Sequence, residues 1–209
     1  HNELLDLQFY LEQVGQLRLS SAQETLDETT LVDLSGFRGL SQLHIVRCKP
    51  SILYNFVSLS PHLRHLTIDR SISSVSEILK AKEGEEEKPW SQLKVLNAAH
   101  NYISSIDDSL VGLSGLERLN LSHNLIQRVE NLQFCYSLVH VDLGHNRIRS
   151  VQNTVETLGN LRVLILCDNG LESTSGLEKL LGLERLDISD NQLMQPADLQ
   201  RLGLLPNLS

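Results

Sequence analysis

Apolar and polar positions follow one template along most of this chain. Leu116, Leu119, Leu121, Asn124 and Ile126 spell L-x-x-L-x-L-x-x-N-x-I, and Leu138, Val141, Leu143, Asn146 and Ile148 spell it again. The template also occurs at Leu93, Leu96, Ala98, Asn101 and Ile103, at Leu161, Leu164, Leu166, Asn169 and Leu171, and at Leu183, Leu186, Ile188, Asn191 and Leu193. From Asn101 to Asn191 the successive asparagines are 23, 22, 23 and 22 residues apart. Two weaker copies come earlier: Leu40, Leu43 and Ile45 lead to Cys48, and Leu63, Leu66 and Ile68 lead to Ser71. A degenerate strand at Val14, Leu17 and Leu19 precedes them. Self-similarity at this period predicts stacked units rather than a globular core.

The motif and its period are those of leucine-rich repeats (LRRs). In each unit, L-x-L puts two apolar side chains on one side of a short strand and polar ones on the other. One unit cannot bury its leucines, so stability is mainly a nearest-neighbour sum over stacked units. The asparagine falls where the chain leaves the strand, and its amide can satisfy backbone groups that the turn would bury unpaired. Val129, Leu132 and Cys135, spaced by three, suit a 3₁₀ or short irregular return segment. The predicted fold is α/β: a right-handed solenoid with a parallel concave β-sheet and an N-terminal helical cap.

No linker interrupts the register, so residues 1–209 read as one domain. Residues 1–30 form the cap: Leu4, Leu7, Leu11 and Val14 share a helical face behind Asn2, and Ser20 to Thr30 read as a loop. About seven repeats fill 31–209, with an acidic insertion at 80–90. Val75, Ile78 and Leu79 predict a short convex helix before it, and Trp90, after Pro89, is expected to pin it to the solenoid. The insertion reads as a solvated loop, which flexible-chain entropy tolerates. Leu205-Pro206-Asn207-Leu208 starts a further repeat, so the natural chain is expected to continue.

Composition narrows the function. The residues are 41% hydrophobic but only 4% aromatic, and the net charge is −8. That balance disfavours nucleic acid and anionic membrane surfaces as partners. No membrane-spanning stretch or signal peptide is visible. Cys48, Cys135 and Cys167 are scattered one per repeat, which predicts reduced thiols and a cytoplasmic setting.

No nucleophile sits in a catalytic pattern: G-x-S-x-G, a P-loop, H-E-x-x-H and C-x-x-C are all missing, so no enzyme is expected. His100, His123 and His145 share one repeat position and form a column. A straight ladder supplies metal pairs more readily than tetrahedra, so no metal or other cofactor is expected, and a pH-sensitive ladder is the alternative. The concave face remains. One outward column runs Gln42, His65, Val95, Arg118, His140, Val163 and Arg185, and the next runs His44, Thr67, Asn97, Asn120, Asp142, Ile165 and Asp187. Val163 and Ile165 are apolar where polar residues are usual, and Arg118, His140, Asp142, Arg185 and Asp187 rim them. An apolar centre with a charged rim is what a protein-binding hot spot needs.

Residues 33–48, DLSGFRGLSQLHIVRC, resemble the opening repeat of nischarin, as do Ser137 to Leu143 and Leu158 to Leu161. The order of cap, two weak repeats, acidic insertion and regular repeats is similar too. A related LRR-bearing interactor of a tumour-suppressor kinase shares much of this layout. The nischarin resemblance implies a non-catalytic scaffold that recruits Rac- or Rab-type GTPases and PAK-type kinases. It also implies endosomal association through a lipid-binding domain outside this chain. Two other readings stay open: a regulatory LRR subunit of a phosphatase or kinase, and a cytoskeletal adaptor.

Overall fold

The computed structural model describes residues 11–20, 31–81, 89–152 and 158–208. Eight parallel strands, each hydrogen-bonded to the next, form one sheet. They are β1 (Gln16–Ser20), β3 (Gln42–Val46), β5 (His65–Asp69), β6 (Val95–Asn97), β7 (Arg118–Asn120), β8 (His140–Asp142), β9 (Val163–Ile165) and β10 (Arg185–Asp187). The register keeps repeat positions together: Leu96 faces Leu119, Leu119 faces Val141, and Val141 faces Leu164. A second parallel pair joins β2 (Val32–Asp33) to β4 (Leu53–Tyr54). The chain is a right-handed solenoid with a concave parallel sheet, and its return segments are mostly irregular.

The core follows the template. Inward side chains of β3 through β9 are buried, whereas Leu17 and Leu19 of β1, Leu186 of β10 and Ile188 just after it are only partly buried. That gradient is the nearest-neighbour rule in structural form, since an outer strand has a neighbour on one side. Return segments close the far side with Ile106, Leu110, Val129, Leu132 and Cys135. Some tighten into 3₁₀ turns, at Asp108–Gly112 and Leu177–Lys179. The stretch through Val129 and Leu132 stays irregular.

The asparagines form a ladder. The Asn124 amide nitrogen donates to the carbonyls of Ala98, Leu121 and Ser122 at 2.9–3.1 Å, and its oxygen accepts from the Ile103 amide at 3.0 Å. Asn101, Asn146, Asn169 and Asn191 reach one repeat back in the same way. Where the ladder lacks asparagine, Ser71 substitutes: its hydroxyl accepts from the Cys48 amide and donates to the Asp69 carbonyl.

The insertion is closed at its base. Helix α1 (Ser76–Leu79) buries Ile78 and Leu79, and the Trp90 indole donates to the Leu79 carbonyl at 2.9 Å. The Trp90 ring also packs against Phe56 with centroids 5.4 Å apart. The two ends of the acidic stretch are therefore tied together. Its middle, 82–88, lies outside the described residues, as do 1–10 of the expected cap and 21–30 of the expected loop. Trp90→Phe is expected to cost about 1–3 kcal/mol, because it leaves a buried carbonyl unpaired. A chemical-denaturation midpoint equal to that of the parent chain would refute the pin.

One element was not legible in the pattern. Helix α2 (Pro196–Leu202) starts on a proline in its first turn and buries Leu202. Asp198 ties it back by accepting from the Ser173 hydroxyl at 2.8 Å and the Thr174 amide at 3.2 Å.

Candidate functional site

The sheet brings the seven singled-out residues onto four adjacent strands, β7 to β10. In register, Arg118 faces His140, His140 faces Val163 and Val163 faces Arg185. The next column sets Ile165 between Asp142 and Asp187. Arg118 and Arg185 are exposed, while His140, Asp142, Val163, Ile165 and Asp187 are partly buried. The two apolar side chains are thus partly buried on the sheet face rather than standing free.

Local chemistry occupies part of the rim. Asp142 accepts from the Gly144 amide at 3.0 Å, and Asp187 accepts from the Ser189 amide at 3.1 Å and hydroxyl at 2.6 Å. Asn97 and Asn120 make the same turn with Ala99 and Ser122. One oxygen of each aspartate therefore helps end its strand. The Ser189 hydroxyl and amide hold the Asp187 carboxyl below its ordinary range. Burial, then the cations of Arg118 and Arg185, push His140 down against the opposing pull of Asp142.

A second column lies just past the strands. Arg47, Arg70, His100, His123, His145, Asp168 and Asp190 all adopt positive φ of 48–56° at one repeat position. This left-handed turn is uncommon for residues other than glycine, with asparagine, aspartate and histidine the most tolerant of it. The histidine column stacks face to face: ring centroids are 4.1 Å apart for His100 and His123, and 4.0 Å for His123 and His145. His145 Nδ1 lies 2.7 Å from the Asp168 carboxylate. The rings lie side by side and do not converge on one point, and among the described residues no three His, Cys, Asp or Glu side chains are grouped to hold a metal ion. The graded sequence Arg, Arg, His, His, His, Asp, Asp was readable from the repeat register, but only by extending the column past the histidines.

His123 is held below its ordinary value of 6.5, first by burial, then by its imidazole neighbours His145 and His100. His140 shifts the same way. A depressed histidine pKa means that the unfolded chain binds more protons than the folded one, so folding stability falls as pH drops through 6.5. The melting temperature is expected to decline over that interval, and His123→Asn combined with His140→Gln is expected to flatten the decline. Asparagine suits the left-handed turn at 123. An unchanged pH slope in the double variant would contradict the assignment.

The cysteines are all free, with Cys48 and Cys135 buried. Burial raises the Cys135 thiol to about 11 and also raises Cys48, which leaves both unreactive packing groups. Among the described residues, no helix is long and apolar enough to cross a membrane.

The family profile described as Leucine Rich repeats (2 copies) matches residues 91–133. The chain is a leucine-rich-repeat solenoid. Among solved structures, this repeat domain is similar to internalin C2 of Listeria monocytogenes, with a TM-score of 0.70 and 20% identity over 96% of this chain and 81% of that one. Among curated proteins, it is similar to serine/threonine-protein kinase 11-interacting protein. Identity is 31% over 93% of this chain in Gallus gallus and 34% over 85% in Homo sapiens. The repeat domain spans 18% and 16% of those two proteins. A shorter stretch, 43% of this chain, is 37% identical to geranylgeranyl transferase type-2 subunit alpha of Sus scrofa, covering 16% of that subunit.

Proposed function

We propose that this repeat domain is a non-catalytic scaffold whose concave face holds a protein partner, and that the partner is a serine/threonine kinase. The observation that carries the reading is the apolar pair with its charged neighbours on the face of β7 to β10. There partly buried Val163 lies between His140 and Arg185, and partly buried Ile165 lies between Asp142 and Asp187, with Arg118 one strand further on. Arginine is enriched at interface centres, and an apolar middle inside a polar rim is the usual anatomy of such a patch. A specific complex buries about 800 Å² per partner, an area that several adjacent strands can supply. The kinase assignment draws on the similarity, over most of this chain, to proteins named for their interaction with serine/threonine kinase 11. The free thiols, two of them buried, support a reducing, cytoplasmic setting.

A second reading is favoured by the nischarin-like stretch from Asp33 to Cys48: capture of Rac- or Rab-type GTPases, with endosomal placement supplied by other domains. Affinity capture from cytosol with mass spectrometry separates the two. Recovery of a serine/threonine kinase, unchanged by added nucleotide, is the expected result. Small GTPases recovered only with a GTP analogue would replace the kinase reading by the second. A co-purifying phosphatase catalytic subunit would replace both with a regulatory-subunit role.

A further inference from the structure

A polar cavity of about 490 Å³ opens where the chain enters β3, β5 and β6. Arg38, His62, Arg64 and His65 supply its cationic lining, Gln42 and Gln92 add neutral amides, and among the described residues no carboxylate lines it. Such a concentration stands out in a chain of net charge −8. The repeat register sharpens the point. The residues just before successive strands are Ser41, Arg64, Lys94, Glu117, Val139, Arg162 and Glu184. Farther along, the cations in this column are neutralised by the next repeat: Lys94 pairs with Glu117 at 3.0 Å, and Arg162 with Glu184 at 3.3 Å. Arg64 has Ser41 and Lys94 as its column neighbours, neither of them an anion. Arg38 does contact Glu12, at 3.6 Å, but its side chain is 70% exposed, and pairs so exposed hold weakly.

We propose that this cavity seats a phosphate group carried on a side chain of the protein partner. Planar guanidinium forks match phosphate oxygens in pairs, and a phosphomonoester brings close to two negative charges and strong acceptor oxygens. The cavity is continuous with the concave face, because Gln42 and His65 lie in register on its outward column. A partner chain lying across the concave face would pass its mouth. An anionic membrane is the poorer occupant, since the remaining surface of an acidic chain is repelled by it. The proposal rests on the reading of the concave face as the partner surface.

The test is a titration of the isotopically labelled domain, followed by amide chemical shifts. The probes are an acetylated phosphoserine tripeptide amide, its unphosphorylated counterpart, and inorganic phosphate. Phosphatidylcholine vesicles containing a phosphatidylinositol phosphate are tested by flotation. The phosphopeptide and inorganic phosphate are expected to shift His62, Arg64 and His65, and the unphosphorylated peptide is not. Arg38→Gln with Arg64→Gln is expected to weaken binding by about tenfold or more. His62→Gln with His65→Gln serves as a second variant, also expected to weaken binding. Shifts scattered over the whole surface, undiminished affinity in both variants, or vesicle flotation without a phosphopeptide response would overturn the proposal. None of these variants touches Val163 or Ile165. Loss of the phosphate response with partner capture still dependent on Ile165 would sink the cavity alone. A phosphate response retained while capture ignores Ile165 would sink the concave reading.

Discussion

Leu164→Asp is expected to unfold the C-terminal repeats, while a change at the very next residue leaves the fold standing. Leu164 is 1% exposed and packs in register between Val141 and Leu186. A carboxylate there would be buried with no partner, a change whose cost reaches about 4 kcal/mol or more. Stability passes from repeat to repeat, so β10 and α2, which stack beyond this layer, are expected to go with it. Ile165 points the other way and is half-buried between Asp142 and Asp187. Ile165→Lys puts a cation between two carboxylates and is expected to stay within about 1 kcal/mol of the parent. Hydrogen exchange read repeat by repeat distinguishes them. Equal protection of β9 and β10 in the parent and Leu164→Asp chains would refute the stacking account.

Asn124→Ala is expected to destabilise the domain by about 1–3 kcal/mol. The side chain is 6% exposed and serves two repeats at once. Its loss leaves the Ile103 amide without its acceptor and removes one donor each from the Ala98, Leu121 and Ser122 carbonyls. The carbonyls keep other partners, from Asn101, Asn146 and the His100 amide respectively, which holds the cost to that range rather than a larger one. Asn124→Asp is a sharper probe. It retains an acceptor for Ile103 but cannot donate, so it is expected to cost at least as much as alanine. A thermal melt that leaves either variant at the parent midpoint would contradict the ladder.

The parts of this fold visible in the sequence are those imposed by burial and by backbone hydrogen bonding. A strand of two inward leucines needs L-x-L, and the turn after it needs an amide that both donates and accepts, so the solenoid shows at every regular repeat. Ser71 fits the same logic, since a hydroxyl also donates and accepts. Helix α2 left a weaker trace: Pro196 marks its start, yet seven residues carry too few apolar positions to declare a helical period. The candidate patch was legible in position but less so in chemistry. The register placed Val163 and Ile165 side by side on the face, but the rim aspartates read as free anions, whereas Asp142 and Asp187 each commit an oxygen to a strand-ending turn. That role follows from D-x-G and D-x-S, a spacing that is generic in turns. The basic cavity was not visible at all, because Arg38 and His62 come from turns whose return to one mouth depends on three repeats stacking.

If the face of β7 to β10 holds the partner, Val163, Ile165 and Arg185 carry the contact. Ile165→Lys combined with Arg185→Ala removes an apolar anchor and a guanidinium from this face without disturbing the inward leucines. Partner capture from cytosol is expected to be lost in this variant while the melting temperature and far-ultraviolet circular dichroism match the parent. Full capture by a variant that is folded to the same degree would contradict the claim and place the partner on another surface of the solenoid.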